Sequence, residues 1–225
     1  MPKKQNKPAL GECWELLAEG AESLGLKLSQ KQIDAFSCYL SLLLAWNSRF
    51  NLTAIRSPKL IIRLHFIDSL AIAPFISPRG RTLDVGSGAG FPGIPLKIIS
   101  PKKELTLVES RRRKANFLRE VVRSLDLSGV EVVEERAENL NPRDIGLFSE
   151  VVTRALGSMN HFIRISVPLL CTGGRCIIMH GPKGAQLFRH TENKYLSLGY
   201  GKRFLESYHL PLGHEKRTLL IYVKN

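Results

Sequence analysis

Three glycines at every second position, Gly86, Gly88 and Gly90, follow a short apolar run ending Leu83-Asp84-Val85. A glycine has no Cβ, so such a turn reaches positive φ and lets a ligand approach the backbone, while the helix that follows adds free N–H groups. The segment reads as a ligand loop at the carboxyl end of a first strand. Its chemistry is open at this point. Gly88, Gly90 and Gly93 fit G-x-G-x-x-G, which cradles a dinucleotide pyrophosphate. Asp84 through Gly90 instead set a carboxylate ahead of the glycines, which suits a ligand bearing cationic groups. A turn that merely packs a helix on a sheet is the third reading.

Other residues extend the constellation. Glu109 ends a second apolar run about 20 residues past the glycines, where an acid can accept hydrogen bonds from a ribose diol. Arg111, Arg112, Arg113 and Lys114 follow directly and open a helix, where positive charge opposes the macrodipole. A cluster placed against local stability points to phosphate contact. Arg136-Ala137-Glu138 follows a third run, where a loop reaches a base ring. Arg154 ends a fourth run, and Lys183 lies on the loop after a fifth. His65 and Asp68, three residues apart on a helix, share a face and read either as an acid–base pair or as a satisfied packing pair.

The elements that position these residues alternate. Short β-type runs fall at 82–85, 105–108, 130–133, 151–153 and 176–179, separated by helical stretches at 93–99, 112–125, 159–170 and 185–198. Such alternation predicts a parallel sheet with helices on both faces. The last two runs, 203–208 and 219–223, flank Pro211-Leu212-Gly213-His214 with no helix between them and predict an antiparallel terminal hairpin. Ahead of the sheet, apolar spacing over 10–24, a capping box at Ser29–Gln32 and Ser57-Pro58 predict three helices, the third running to about Ala73. The expected organisation is a disordered basic arm at 1–8, a helical extension packed on the core at 9–76, and a ligand-binding domain at 77–225.

Composition narrows the partners. The 225 residues carry a net charge of +13, which favours a polyanion such as nucleic acid. No apolar run approaches the roughly 20 residues of a membrane span, and the polar start has no signal-peptide core. Cys13, Cys38, Cys171 and Cys176 lack metal-type spacing, and scattered cysteines suit a reducing cytoplasm. Neither a metal nor a disulfide is expected, and a cytoplasmic monomer is.

Asp84-x-Gly-x-Gly-x-Gly resembles the first motif of S-adenosylmethionine (SAM) dependent methyltransferases, and Leu169-Leu170-Cys171-Thr172-Gly173-Gly174 resembles a junction common in them. The predicted parallel sheet with an antiparallel hairpin is similar to the α/β, Rossmann-like class I methyltransferase fold. More specifically, the chain resembles the glucose-inhibited division protein B family, the small-subunit ribosomal RNA (guanine-N7) methyltransferases. The resemblance spans about 30–184 and rests on Trp46-Asn47, Asn51-Leu52-Thr53, His65-x-x-Asp68-Ser69, the loop through Phe91-Pro92-Gly93-Ile94-Pro95, Glu109-Ser110, Phe117-Leu118, Arg136-Ala137-Glu138, Arg154-Ala155 and Lys183-Gly184. Leu64 stands where the family often has arginine.

The resemblance implies SAM as cofactor, with contacts at Gly86, Phe91, Ala137, Glu138 and Arg154, to which the reading of the loop and of the second strand's end adds Asp84, Gly88, Gly90 and Glu109. It implies small-subunit ribosomal RNA or its 30S particle as partner, with phosphates on Arg111–Lys114. Guanine N7 has an in-plane lone pair and no proton to lose, so its methylation needs no general base. Arg154 and Lys183 are the catalytic candidates, as donors to O6. The alternatives are another RNA or protein substrate, a nicotinamide-dependent oxidoreductase, or a non-catalytic RNA-binding module for ribosome assembly.

Overall fold

The computed structural model describes residues 8–154, 158–189 and 194–225. Its helices are α1 (Pro8–Glu22), α2 (Gln30–Phe50), α3 (Pro58–Ile61), α4 (Asp68–Leu70), α5 (Gly93–Ile99), α6 (Arg112–Ser124), α7 (Pro142–Ile145), α8 (Met159–Ser166), α9 (Gly184–Arg189) and α10 (Lys194–Ser197). Its strands are β1 (Arg81–Val85), β2 (Glu104–Val108), β3 (Val130–Val133), β4 (Phe148–Arg154), β5 (Leu170–His180), β6 (Tyr200–His209) and β7 (Lys216–Lys224). They form one sheet in the order β3-β2-β1-β4-β5-β7-β6. β1 to β5 pair in parallel, and β7 is antiparallel to both β5 and β6. The strand order reverses between β1 and β4, the switch point where open α/β sheets place ligands.

The strand interiors are apolar because helices cover both faces. All of Thr82–Val85 and Leu105–Val108 is buried. On one face α6 presents Ala115, Phe117, Leu118 and Val121. Phe117, Leu118 and Val121 join a core that includes Leu17 of α1, Phe36 and Tyr39 of α2, and Leu107 of β2. The N-terminal helices therefore share their core with the sheet. At the sheet's amino end Lys103 Nζ donates to Thr82 Oγ1 at 2.7 Å and lies 3.3 Å from Glu150 Oε2, which satisfies a buried charge.

The structure corrects several sequence expectations. The Ser29 capping box is present, with Ser29 N–H donating to Gln32 Oε1 at 2.8 Å. The third helix is not uniform: α3 passes into a π-helical segment, Ile62–Ile67, before α4, and Ser57 makes no side-chain cap. A π turn adds one residue, which apolar spacing does not register. Residues 170–174 lie inside β5 rather than before it. Phe148↔Leu170 and Glu150↔Arg175 are consecutive partners, so Cys171–Gly174 form a bulge, with Gly173 at φ 75°. Of the expected helix 185–198, Gly184–Arg189 and Lys194–Ser197 are helical and 190–193 lie outside the described residues, as does almost all of the expected arm at 1–8.

Candidate functional site: two cavities on the carboxyl edge

The larger cavity, about 680 Å³, sits over β1, β2 and β3. Gly86 forms its floor with φ 70°, leaving the backbone open. Glu109, at the end of β2, is held from behind: Gly88 N–H donates to Oε2 at 3.0 Å and Arg111 N–H to Oε1 at 2.8 Å. Each carboxylate oxygen keeps a second lone pair for a ligand. Ala137 and Glu138 reach the cavity from the 3-10 turn Ala137–Asn139. His161 Nε2 lies 2.7 Å from Glu138 Oε1. The Glu138 carboxyl is lowered from its usual range, first by its own backbone N–H and then by His161. Four glutamates and two arginines line this cavity, so its field is anionic.

The glycine loop divides its labour differently from the sequence expectation. Asp84 is fully buried and points away from this cavity, its Oδ2 accepting the Gly93 N–H at 2.9 Å. Among the described residues its Oδ1 has no hydrogen-bond partner, and burial pushes its pKa up to about 7. A Cβ on Gly90 would come within 2.6 Å of Tyr39 Oη and 2.7 Å of Ile94 Cγ1. Gly90 thus gives room for α2 and α5 to approach the loop. Gly88, at φ 61°, makes the turn that delivers its N–H to Glu109. Phe91 also turns inward, stacked on His65 with centroids 4.6 Å apart and 23° between planes. These four side chains or positions support the loop from within, because the N-terminal helices cover its far side.

Arg154 does not join the larger cavity either. It faces a second one, about 340 Å³, lined by Leu64, His65, Asp68, Met179 and Arg217 among others. Arg154 Nη1 donates to Leu64 O at 3.1 Å and lies 3.5 Å from Asp68 Oδ2, while Nη2 meets His65 Nδ1. Burial, with the Arg154 charge second, lowers the His65 pKa to about 3, so the ring is neutral and its Nδ1 accepts. Its Nε2 then donates to Thr53 Oγ1 at 2.8 Å, and Asn47 Oδ1 accepts the Thr53 N–H at 2.9 Å. Lys183 is exposed beside α9 and lines neither cavity.

Arg111, Arg112 and Arg113 are exposed and Lys114 half-buried at the start of α6, and of the four Arg111 lines the larger cavity. Sequence reasoning missed two residues, His161 and Arg217. Ser158 accepts a hydrogen bond from the His161 N–H, and a Ser three residues ahead of a His just after a strand end was a readable sign. Arg217 is brought in by β7, which no local pattern announces.

A family model described as GidB, rRNA small subunit methyltransferase G, matches residues 32–219. The chain belongs to the GidB family. Curated ribosomal RNA small subunit methyltransferase G proteins of Geotalea uraniireducens and Roseiflexus castenholzii are 37% and 40% identical to it. The first match covers 93% of this chain and 96% of that protein, the second 91% and 88%. Among solved structures, TrmN from Thermus thermophilus matches with TM-score 0.57 at 19% identity, over 80% of this chain and 53% of that one. TYW2 of M. jannaschii, solved in complex with AdoMet, matches with TM-score 0.52 at 14% identity, over 69% and 73%. The GidB chain thus has the class I methyltransferase fold.

The residues present fit SAM. The anionic lining complements a sulfonium and an ammonium and disfavours a pyrophosphate, which argues against the dinucleotide reading. No group of three or more His, Cys, Asp or Glu side chains that could hold a metal occurs among the described residues. No described helix is long and apolar enough to cross a membrane.

Proposed function

We propose that this GidB protein transfers the methyl group of SAM to N7 of a guanine in small-subunit ribosomal RNA. The observation that carries the residue-level reading is the anionic cavity built on Gly86, Glu109 and Glu138 beside a basic helix start. Glu109, fixed by two backbone N–H groups, accepts from the ribose diol. Ala137 and Glu138 border the adenine, and the Gly86 backbone borders the amino-acid end. Bound SAM supplies an electrophilic methyl group. The protein's own contribution is alignment and exclusion of water, since the N7 lone pair needs no base to free it. Asp84, Gly88, Gly90 and Phe91 act by holding the loop. Arg111, Arg112, Arg113 and Lys114 contact phosphates flanking the target, and the +13 charge draws the protein to RNA. A monomer acting in the cytoplasm on RNA or on the 30S particle belongs to the same reading.

The test supplies labelled SAM with unmodified small subunits or their RNA and maps the product by cleavage specific for N7-methylguanine. Label at one guanine is the expected result. Label in another base, or in protein, overturns the substrate assignment.

A further inference from the structure

The second cavity is the better place for the base. It opens over β4, β5 and β7, whereas the larger cavity lies over β3, β2 and β1. They lie on neighbouring strands at the switch point: Val85 of β1 lines the larger and Arg154 of β4 the second, and Thr153 Oγ1 donates to Val85 O at 2.9 Å. Arg154 also lies over the Phe91 ring at 5.4 Å, so one lining residue of the second cavity packs on the glycine loop. Its volume of about 340 Å³ lies in the small-molecule range, roughly 300–1,000 Å³. Ile55, Leu64 and Met179 supply apolar surface for the faces of a ring.

Its polar groups are unevenly committed. Arg154 is spent on Leu64, His65 and Asp68. Among the described residues, Arg217 engages only its Nε–H, with Asp68 Oδ1 at 2.9 Å, leaving both Nη groups to the cavity. Among the described residues, Asp68 Oδ2 has only the 3.5 Å approach of Arg154. A carboxylate with spare lone pairs therefore stands beside a guanidinium with spare N–H groups. Around its edge guanine presents N2–H and N1–H as donors, then O6 and N7 as acceptors.

We propose that the second cavity receives the splayed-out target guanine, with Asp68 accepting from N1–H and N2–H and Arg217 donating to O6. N7 is then the next atom round the ring and is left uncovered toward the larger cavity. Adenine inverts the pattern, presenting an acceptor to Asp68 and a donor to Arg217, and is refused because buried polar groups would be left unpaired. Asp68 and Arg217 are the specificity-determining residues, and His65 is a positioning residue that orients Arg154 behind Asp68. The proposal rests on guanine as target, and displaces Lys183 as the donor to O6.

The experiment uses small-subunit RNA in which the guanosine methylated by the wild-type protein is replaced by inosine, which lacks only the N2 amino group. Wild-type protein should show kcat/KM at least tenfold lower on inosine RNA. Asp68→Asn should shrink that preference below threefold, and Arg217→Lys should lower kcat/KM on guanosine RNA at least tenfold, both with SAM affinity by titration calorimetry within twofold of wild type. Equal wild-type rates on the two RNAs overturn the pocket assignment with no variant needed. Loss of SAM affinity in folded variants, with guanosine preference kept, gives the cavity to the amino-acid end of the cofactor and likewise overturns it. If the wild type makes no N7-methylguanine at all, the functional reading falls, and the pocket with it.

Discussion

Alanine at Gly90 and alanine at Gly88 separate two roles that look alike in sequence. Both glycines have positive φ, 96° and 61°, so a side chain at either is strained by about 1–2 kcal/mol. There the similarity ends. At Gly88 a Cβ meets nothing nearer than Gly86 O at 3.7 Å. At Gly90 it would stand 2.6 Å from Tyr39 Oη, 2.7 Å from Ile94 Cγ1 and 3.2 Å from Leu118 Cδ2. Tyr39 is fully buried and its hydroxyl donates to Ala89 O, so it cannot swing aside. Overpacking of this kind adds about 1–3 kcal/mol. Gly90→Ala should therefore unfold roughly 2–12 °C below Gly88→Ala, since about 1 kcal/mol moves the midpoint of a chain this long by about 2–4 °C. Scanning calorimetry measures the midpoints, and SAM titration at a temperature where both are folded measures the loop. Gly88→Ala should weaken SAM, because it tilts the N–H that fixes Glu109. Equal midpoints, or a lower midpoint for Gly88→Ala, would refute the assignment of Gly90 to packing.

Three further outcomes are expected. Glu109→Gln keeps the shape but turns one accepting oxygen into a donor facing a backbone N–H, and charged hydrogen bonds are worth about 1.5–3 kcal/mol each, so SAM should bind about 10–100-fold more weakly by calorimetry. Replacing Arg111, Arg112 and Arg113 with glutamine should weaken RNA binding and flatten its salt dependence by about 2–3 in the log–log slope, with SAM affinity unchanged; an unaltered slope would leave the cluster as surface. His65 has its folded pKa lowered to about 3 against an ordinary 6.5, so the unfolded chain holds the extra proton between those values and stability rises with pH across that window. In His65→Asn the slope of unfolding free energy between pH 4 and 6 should be smaller by up to about 1.4 kcal/mol per pH unit, read from urea melts. Asp84, raised to about 7 by burial, contributes the opposite slope in both proteins and cancels in the difference.

The strands and the hairpin were legible because buried parallel strands are short apolar runs and the terminal turn lacks a helix. Gly93–Ile99 and Val130–Val133 fall where expected, and Arg112–Ser124 stops one residue short. That Glu109, Ala137 and Glu138 line the larger cavity was legible for the same reason: they follow the ends of β2 and β3, and strand ends locate a carboxyl edge. The inward turn of Asp84, Gly90 and Phe91 was not. It depends on Tyr39 and His65, which approach from helices tens of residues away, and spacing within the loop carries no trace of them. The π segment escaped because apolar periodicity tolerates one extra residue, yet that residue helps set where His65 and Asp68 face. Arg217 reaches the edge only because β7 runs antiparallel beside β5.

Tyr39 touches the glycine loop from α2, and Phe117 and Leu118 complete the same core from α6. During synthesis the loop at 86–93 is made long after its first wall and well before its second. Until about residue 118 has left the exit tunnel, Gly90 has a partner on one side only, and the turn beneath Glu109 has nothing to close against. A nascent chain of this protein thus emerges with its glycine loop unfinished, and the loop closes only once translation has moved past α6.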